Sequence, residues 1–98
     1  MPLPKRTGIC PCCGRETRLT YHHLIPRHMH RRAYFRKNYS RQELSQGIYI
    51  CRQCHDGIHR FYTAMELAKH LNTLDRLLAD DSLAAHFAWV ARQRIRID

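Results

Sequence analysis

The pattern of apolar and polar positions divides the chain into a first part with short β-leaning runs and a helical second part. "RLTYHHLI" and "GIYIC" are rich in residues that favour strands, and Pro26 ends the first run. Between them, Ser40 and Glu43 form a capping-box pair, which predicts a short helix over about 41–46. Residues 1–8 contain two prolines and are expected to form a loose leader.

From "CRQCHDGIHRF" onward the pattern is helical. Thr63 and Glu66 form a second capping-box pair, so a helix should begin near Ala64. One apolar stripe at helical spacing follows, made of Ala64, Leu67, Ala68, Leu71, Leu74 and Leu78. "ADDS" interrupts the stripe, and a second one predicts a final helix ending near Arg94. We expect these two helices to pack as an antiparallel pair against the β-portion, because such stripes are more often core than cofactor site.

The length of 98 residues, of which 44% are hydrophobic, suits one compact domain with a modest core. A domain this small often needs a metal or disulfides to supplement its core. No apolar run approaches the roughly 18 residues of a membrane span, and "MPLPKRTG" lacks a hydrophobic signal segment. These features predict a soluble cytoplasmic protein without a membrane partner.

The formal net charge of +9 is unevenly placed. Residues 1–62 contain twelve Lys or Arg against three Asp or Glu, whereas residues 63–98 contain five of each kind. A one-sided basic field is typical of a protein that binds a polyanion, and nucleic acid is the commonest such partner. The alternative is a solvated basic face that only keeps the protein soluble.

Four of the five cysteines form two C-x-x-C pairs, Cys10 with Cys13 and Cys51 with Cys54. Each pair can direct two thiolates at one ion, and four thiolates complete the tetrahedron that Zn²⁺ favours. A structural zinc site is therefore predicted. An odd number of cysteines disfavours a disulfide framework, and the missing βαβ pattern disfavours a thioredoxin-type redox pair. Cys12 is the spare thiol and could compete as a ligand.

His55 and His59 lie four residues apart in the segment predicted to be helical. This spacing places both side chains on one helix face, as metal chelation from a helix requires. His22 and His23 are adjacent on a predicted strand, so one could reach a metal while the other faces a substrate. The alternative is that all four are surface or core residues of a zinc-ribbon DNA-binding protein.

The order C-x-x-C, HH-x-x-P and C-x-x-CH-x-x-x-H over residues 10–59 resembles the HNH endonuclease family. The tail "MELAKHLNTLDRLL" is similar to that of small bacterial stand-alone HNH proteins, which extends the likeness over most of the chain. The resemblance implies an α+β fold with a ββα-metal core, held together by the four-cysteine zinc site and followed by two C-terminal helices. We expect one domain over residues 1–98, with the core at 10–62 and the helical extension at 63–98.

The resemblance also implies roles for individual residues. The positions of the ligands to one catalytic divalent ion hold His22, His55 and His59. His23 holds the position of the general base that activates water for attack on the phosphodiester. Imidazole ligands would accept Mg, Mn, Ni, Co or Zn. The family's central asparagine lies nine residues before the first helix histidine, where this chain has Gln46. The resemblance implies that the Gln46 carboxamide hydrogen-bonds to the base His23 and orients it. Asn38 is an alternative for this role, although it lies in a different register.

Six basic residues follow the histidine strand, in a segment (27–41) without acidic residues: Arg27, Arg31, Arg32, Arg36, Lys37 and Arg41. Such a cluster would give salt-dependent phosphate contacts that are largely independent of sequence. The sequence therefore predicts a metal-dependent HNH endonuclease, monomeric or homodimeric, that cuts double-stranded DNA. The alternative is a zinc-held DNA-binding module with weak or no catalysis. The presence of Gln46 in place of the family's asparagine favours this alternative. A zinc-dependent interaction adaptor is disfavoured by the clustered charge.

Overall fold

The computed structural model describes residues 6–93, in which a three-stranded antiparallel sheet packs against helices. The strands are β1 (Arg6–Ile9), β2 (Glu16–His23) and β3 (Gly47–Cys51), in the spatial order β1-β2-β3. β3 matches the predicted run "GIYIC". The predicted α+β class is confirmed, and β2 is the central strand that carries both adjacent histidines.

The expected loose leader over residues 1–8 is wrong for the part that the structure describes. Residues Arg6–Ile9 form β1, which pairs with β2 from Arg6 opposite Leu19 to Ile9 opposite Glu16. The two strands are joined by the first cysteine turn, in which Gly14 adopts a φ of 79° and donates its N–H to the Cys10 carbonyl at 2.8 Å. A strand of four residues has little pattern of its own and is stabilised by its partner strand. Residues 1–5 lie outside the described residues.

Seven helical elements are present in the described residues: a 3₁₀ helix (Arg27–Met29), α1 (Ala33–Asn38), α2 (Arg41–Leu44), α3 (Arg52–Phe61), α4 (Ala64–His70), α5 (Leu74–Ala79) and α6 (Asp81–Ala91). Both predicted capping boxes are confirmed, at α2 and at α4. At α4 the Thr63 N–H donates to Glu66 at 3.0 Å, and the Glu66 N–H donates to the Thr63 hydroxyl at 3.2 Å.

The single helix predicted from Ala64 through Leu78 is wrong, because the structure divides it into α4 and α5. Asn72 donates its side-chain amide to the Ala68 carbonyl at 3.1 Å, and the Thr73 hydroxyl accepts the Arg76 N–H at 3.1 Å. These side-chain bonds end one helix and cap the next, in competition with continued helical bonding. Residues 64–91 therefore form three helices rather than the two predicted.

The final helix, α6, ends at Ala91, whereas its predicted end near Arg94 lies outside the described residues. None of the helices within residues 6–93 is long and apolar enough to cross a membrane.

The main core lies between the sheet, α3 and the C-terminal helices. Its fully buried members include Ile50 of β3, Ile58 of α3 and Leu83 of α6. Helix α3 contacts β2, β3 and α6, so it is fixed from three sides. A second cluster around Phe35 lies under the connection between β2 and β3. These contacts place α3 across β2, which decides where the candidate ligands meet.

Candidate metal centres

The two cysteine pairs meet at the start of α3. The sulfur atoms of Cys10, Cys13, Cys51 and Cys54, here called the cysteine cluster, all lie within 4.8 Å of one another. Three of the four residues are buried. The Cys51 N–H donates to the Cys10 sulfur at 3.3 Å, and the Cys54 N–H donates to the Cys51 sulfur at 3.4 Å. The predicted grouping is confirmed, and the four sulfurs form a donor set that could bind a metal such as zinc.

The thiols of the cysteine cluster cannot all ionise together without a cation. The pKa of Cys10 is lowered because the Cys12, Cys51 and Cys54 thiols hydrogen-bond to it. Hydrogen bonds of Cys54 with Cys10, Cys12 and Cys51 raise the pKa of Cys54. A bound dication removes this conflict, because metal coordination deprotonates thiols. Cys12 lies outside the cluster; its hydrogen bond with Cys10 is the largest cause that raises its pKa to about 12.

Arg15 supplies a positive charge beside the cysteine cluster, and the sequence analysis missed it. Its guanidinium donates to the Cys51 sulfur at 3.5 Å, to the Gln53 side-chain oxygen at 2.7 Å and to the Gln93 carbonyl at 3.1 Å. The partners are far away in sequence, so no local motif marks the residue. Arg15 ties the chain just beyond α6 to the cysteine cluster.

The three predicted ligand histidines also meet. One ligand nitrogen from each of His22, His55 and His59, here called the histidine cluster, lies within 4.8 Å of the other two. The ring of His22 lies 5.1 Å from that of His55 and 5.3 Å from that of His59, measured between centroids. His22 reaches the cluster from β2, and the other two extend from successive turns of α3.

The interior of the histidine cluster fits a divalent ion. His22 is fully buried, and neither of its ring nitrogens has a hydrogen-bond partner among residues 6–93. Leaving a buried polar group unsatisfied costs about 1–3 kcal/mol. A metal ion bound by these histidines would offset that cost. Burial, followed by the nearby charges of His55 and His59, lowers the pKa of His22 to about 3. Burial is also the largest cause that lowers the pKa values of His55 and His59. All three are therefore neutral near pH 7, in the form that binds metals.

His23 faces away from the histidine cluster, because successive side chains of a strand alternate. Its half-buried ring lies 4.9 Å from Tyr21 and 5.9 Å from His30, between centroids. Burial, then the charges of His30 and Arg27, lowers the pKa of His23. A neutral imidazole at neutral pH is the form that can accept a proton.

Gln46 contacts the end of the histidine strand through its backbone. Its carbonyl accepts the Leu24 N–H at 3.2 Å, one residue beyond the pairing of His23 with Gly47. Its exposed side chain lines a shallow cavity of about 260 Å³ together with Ile25 and other residues. Contact between the Gln46 carboxamide and His23 stays a prediction. The side chain of Asn38 donates to the Tyr34 carbonyl at 2.7 Å, within its own helix.

The six basic residues predicted to contact DNA are all exposed. Two of them, Arg36 and Arg41, line a groove of about 390 Å³, here called the His30 groove, whose other lining residues are His30, Tyr39, Leu44 and Ser45. The groove begins beside His23, since His30 neighbours that ring and the Ser45 carbonyl accepts the Tyr21 hydroxyl at 2.7 Å. None of the six forms an ion pair within residues 6–93, so acidic partners there do not neutralise them.

The fold and its two clusters define a small α+β protein with a four-cysteine and a three-histidine candidate metal centre. A curated protein of Bacillus subtilis (strain 168), named "Uncharacterized protein YisB", is 37% identical over 87 residues, which are 88% of this chain and 76% of that protein. The chain belongs to the same family as that protein. No family model matches the chain, and no solved structure matches it.

Proposed function

We propose that this chain is a metal-dependent endonuclease of the HNH type that hydrolyses phosphodiester bonds in DNA. The observation that carries the proposal is the buried His22, which faces His55 and His59 with both ring nitrogens unpartnered among the described residues. A buried imidazole without a hydrogen bond is costly in a structural site, and three convergent imidazoles are typical of a metal site. His23, the adjacent residue, is held outside that cluster at the edge of a basic groove.

The chain's own contribution to the chemistry is proton transfer and placement of the phosphate. A divalent ion held by the histidine cluster would supply positive charge for a phosphate oxygen and for the leaving oxygen. Neutral His23 accepts the proton of the attacking water, and its lowered pKa keeps it neutral near pH 7. His22 and His23 are adjacent in sequence but project to opposite faces of one strand, so one can bind the ion while the other acts as the base.

The substrate is DNA, on this proposal, because the basic surface adjoins His23. Arg36 and Arg41 flank the His30 groove, and no acidic side chain of residues 6–93 lines it. The nearest acid along α2, Glu43, accepts the Ser40 N–H at 2.8 Å in its capping box. Phosphates along one strand would meet Arg36 and Arg41 beside the base, whereas Arg27, Arg31, Arg32 and Lys37 extend the positive surface.

The cysteine cluster is proposed to hold a structural zinc ion that orients α3. Cys51 and Cys54 lie at its N-cap and in its first turn, directly before His55. Fixing that end of the helix fixes the direction in which both helix histidines project. A site closed by four protein ligands is the arrangement of structural zinc, which leaves chemistry to the histidine cluster.

A second candidate function is a DNA-binding module with weak or no catalysis. It is favoured by Gln46, whose exposed side chain lines the cavity with Ile25 rather than the His30 groove. In that case the basic surface and the zinc site would serve binding alone, and any turnover would be low.

The test is cleavage of supercoiled plasmid by chelator-treated, zinc-reconstituted protein to which Mg²⁺, Mn²⁺, Ni²⁺, Co²⁺ or Zn²⁺ is added. We expect nicking with at least one ion and a loss of about 10²–10⁴-fold in His23→Ala, the usual contribution of a general base. His70→Ala, at an exposed histidine of α4, is the matched control and should cut normally. Absence of nicking with every ion, or equal nicking by His23→Ala, would reject the enzyme and leave the binding module.

A further inference from the structure

Thr20 lies between the histidine cluster and β3, at a place that no motif marks. Its hydroxyl oxygen is 2.8 Å from His55 Nδ1 and 3.1 Å from the Ile50 carbonyl oxygen. Thr20 is paired with Ile50 across the sheet and lies two residues before His22 on β2. Alternation along a strand therefore places Thr20 and His22 on the same face, toward α3.

The two contacts of the Thr20 hydroxyl indicate where the protons lie. A carbonyl oxygen only accepts hydrogen bonds, so the single hydroxyl proton of Thr20 points at Ile50. The hydroxyl oxygen then accepts, and the proton on the other contact belongs to His55 Nδ1. The reverse assignment would leave the oxygens of Thr20 and Ile50 in contact without a proton between them. A neutral imidazole carries one N–H, so His55 Nε2 keeps its lone pair.

We propose that Thr20 is a positioning residue that fixes His55 in the Nδ1–H tautomer and so presents Nε2 to the ion held with His22 and His59. This inference rests on the proposed metal site. Partners that bind the second nitrogen of a ligand histidine set both its tautomer and its ring orientation. Within residues 6–93, His55 has such a partner, whereas His22 and His59 do not. His55 is thus the ligand that is oriented before the ion arrives.

The direct test is the tautomer of His55 in the protein whose cysteine cluster contains zinc and whose histidine cluster has been stripped of metal. Long-range ¹H–¹⁵N correlation spectra of imidazole-labelled protein at pH 7.5 distinguish a protonated Nδ1 from a protonated Nε2. We expect the Nδ1–H form at His55 in the native chain and in Thr20→Ser, and loss of that preference in Thr20→Val. A native spectrum with the proton on Nε2 overturns the proposal, whatever the variants do.

The second measurement is the affinity of the histidine cluster for Co²⁺ or Ni²⁺ in competition with a chelator. Thr20→Val keeps the volume of threonine and removes the hydroxyl, so we expect affinity to fall about 10–100-fold. Thr20→Ser restores the hydroxyl and should bind within about threefold of the native chain. Equal affinity of Thr20→Val and the native chain overturns the proposal. Far-UV circular dichroism and unchanged zinc at the cysteine cluster show that the Thr20→Val chain is folded.

The outcome for Thr20 is separate from the outcome for the nuclease. Neither measurement uses DNA or turnover. An inactive protein with the Nδ1 proton and the expected affinity loss supports the positioning role and rejects only the nuclease. An active protein with the proton on Nε2 supports the nuclease and rejects the positioning role of Thr20.

Discussion

The cysteine cluster and the histidine cluster share helix α3, yet they differ in how their ligand atoms are satisfied. Sulfur atoms of the cysteine cluster accept hydrogen bonds from backbone N–H groups and from Arg15. In the histidine cluster, His22 has no partner among the described residues, and His59 is exposed. Closed, fully ligated sites stabilise structure, and sites with an open position perform chemistry. Under the proposed function, this difference gives the first cluster the role of holding the fold together and the second the role in catalysis.

The largest effect is expected from removing a ligand of the cysteine cluster. Cys54→Ser should prevent stable folding, because structural zinc contributes about 10–16 kcal/mol in small zinc domains and the whole stability of a domain is about 5–15 kcal/mol. Cys12→Ser is the matched control, since Cys12 is not one of the four clustered cysteines and serine keeps a hydrogen-bonding group beside Cys10 and Cys54. Thermal unfolding by circular dichroism measures both. If Cys54→Ser had the same unfolding temperature as Cys12→Ser, the cysteine cluster would not hold the fold together.

A gain in stability, rather than a loss, is expected when a ligand of the histidine cluster is replaced by an apolar residue. His22→Leu removes a fully buried imidazole that has no partner among residues 6–93, so without metal in the histidine cluster the variant should be more stable by about 1–3 kcal/mol. Urea unfolding of zinc-reconstituted protein checks this. His70→Leu, at an exposed histidine, should change little. Destabilisation by His22→Leu would show that the imidazole itself supports the fold.

The lowered pKa of His22 predicts that stability depends on pH. The pKa of His22 is about 3 when folded against an ordinary 6.5, so between these values the unfolded chain binds a proton that the folded chain does not. The free energy of unfolding therefore falls as the pH is lowered below about 6.5. The cysteine cluster contributes to the pH dependence of unfolding in both the native chain and His22→Leu. The difference between their two profiles therefore isolates the contribution of His22. Parallel profiles for the two chains between pH 5 and 7 would contradict this expectation.

Local patterns predicted the ligands, and distant contacts determined what surrounds them. C-x-x-C turns and two histidines one helical turn apart are set by spacing alone, so the cysteine cluster and two of the three histidines could be predicted from the pattern. The choice of His22 over His23 as the third ligand came from the family resemblance. The roles of Arg15 and Thr20 depend on partners brought close by packing of α3 on β2, and no neighbouring residue indicates them. Strand alternation could have placed Thr20 beside His22. Strand β1 and the break at Asn72 escaped prediction because a partner strand and side-chain bonds outweighed weak or opposite local patterns.

The smallest expected effect concerns Arg15, whose guanidinium contacts the cysteine cluster. Arg15→Gln removes the charge that faces Cys51 together with the hydrogen bonds to Gln53 and Gln93. Because Arg15 is only partly buried, water can replace most of these bonds, and the zinc-bound protein should lose about 1 kcal/mol of stability. The substitution should also speed transfer of zinc to a chromogenic chelator, since a positive charge favours the thiolate. Arg52→Gln is the control, because its ion pair with Asp56 lies at the surface and such pairs contribute little. Metal affinity of the histidine cluster should be the same in both variants. A loss there on Arg15→Gln would mean that the two clusters are coupled through α3, and the division of roles between them would fail.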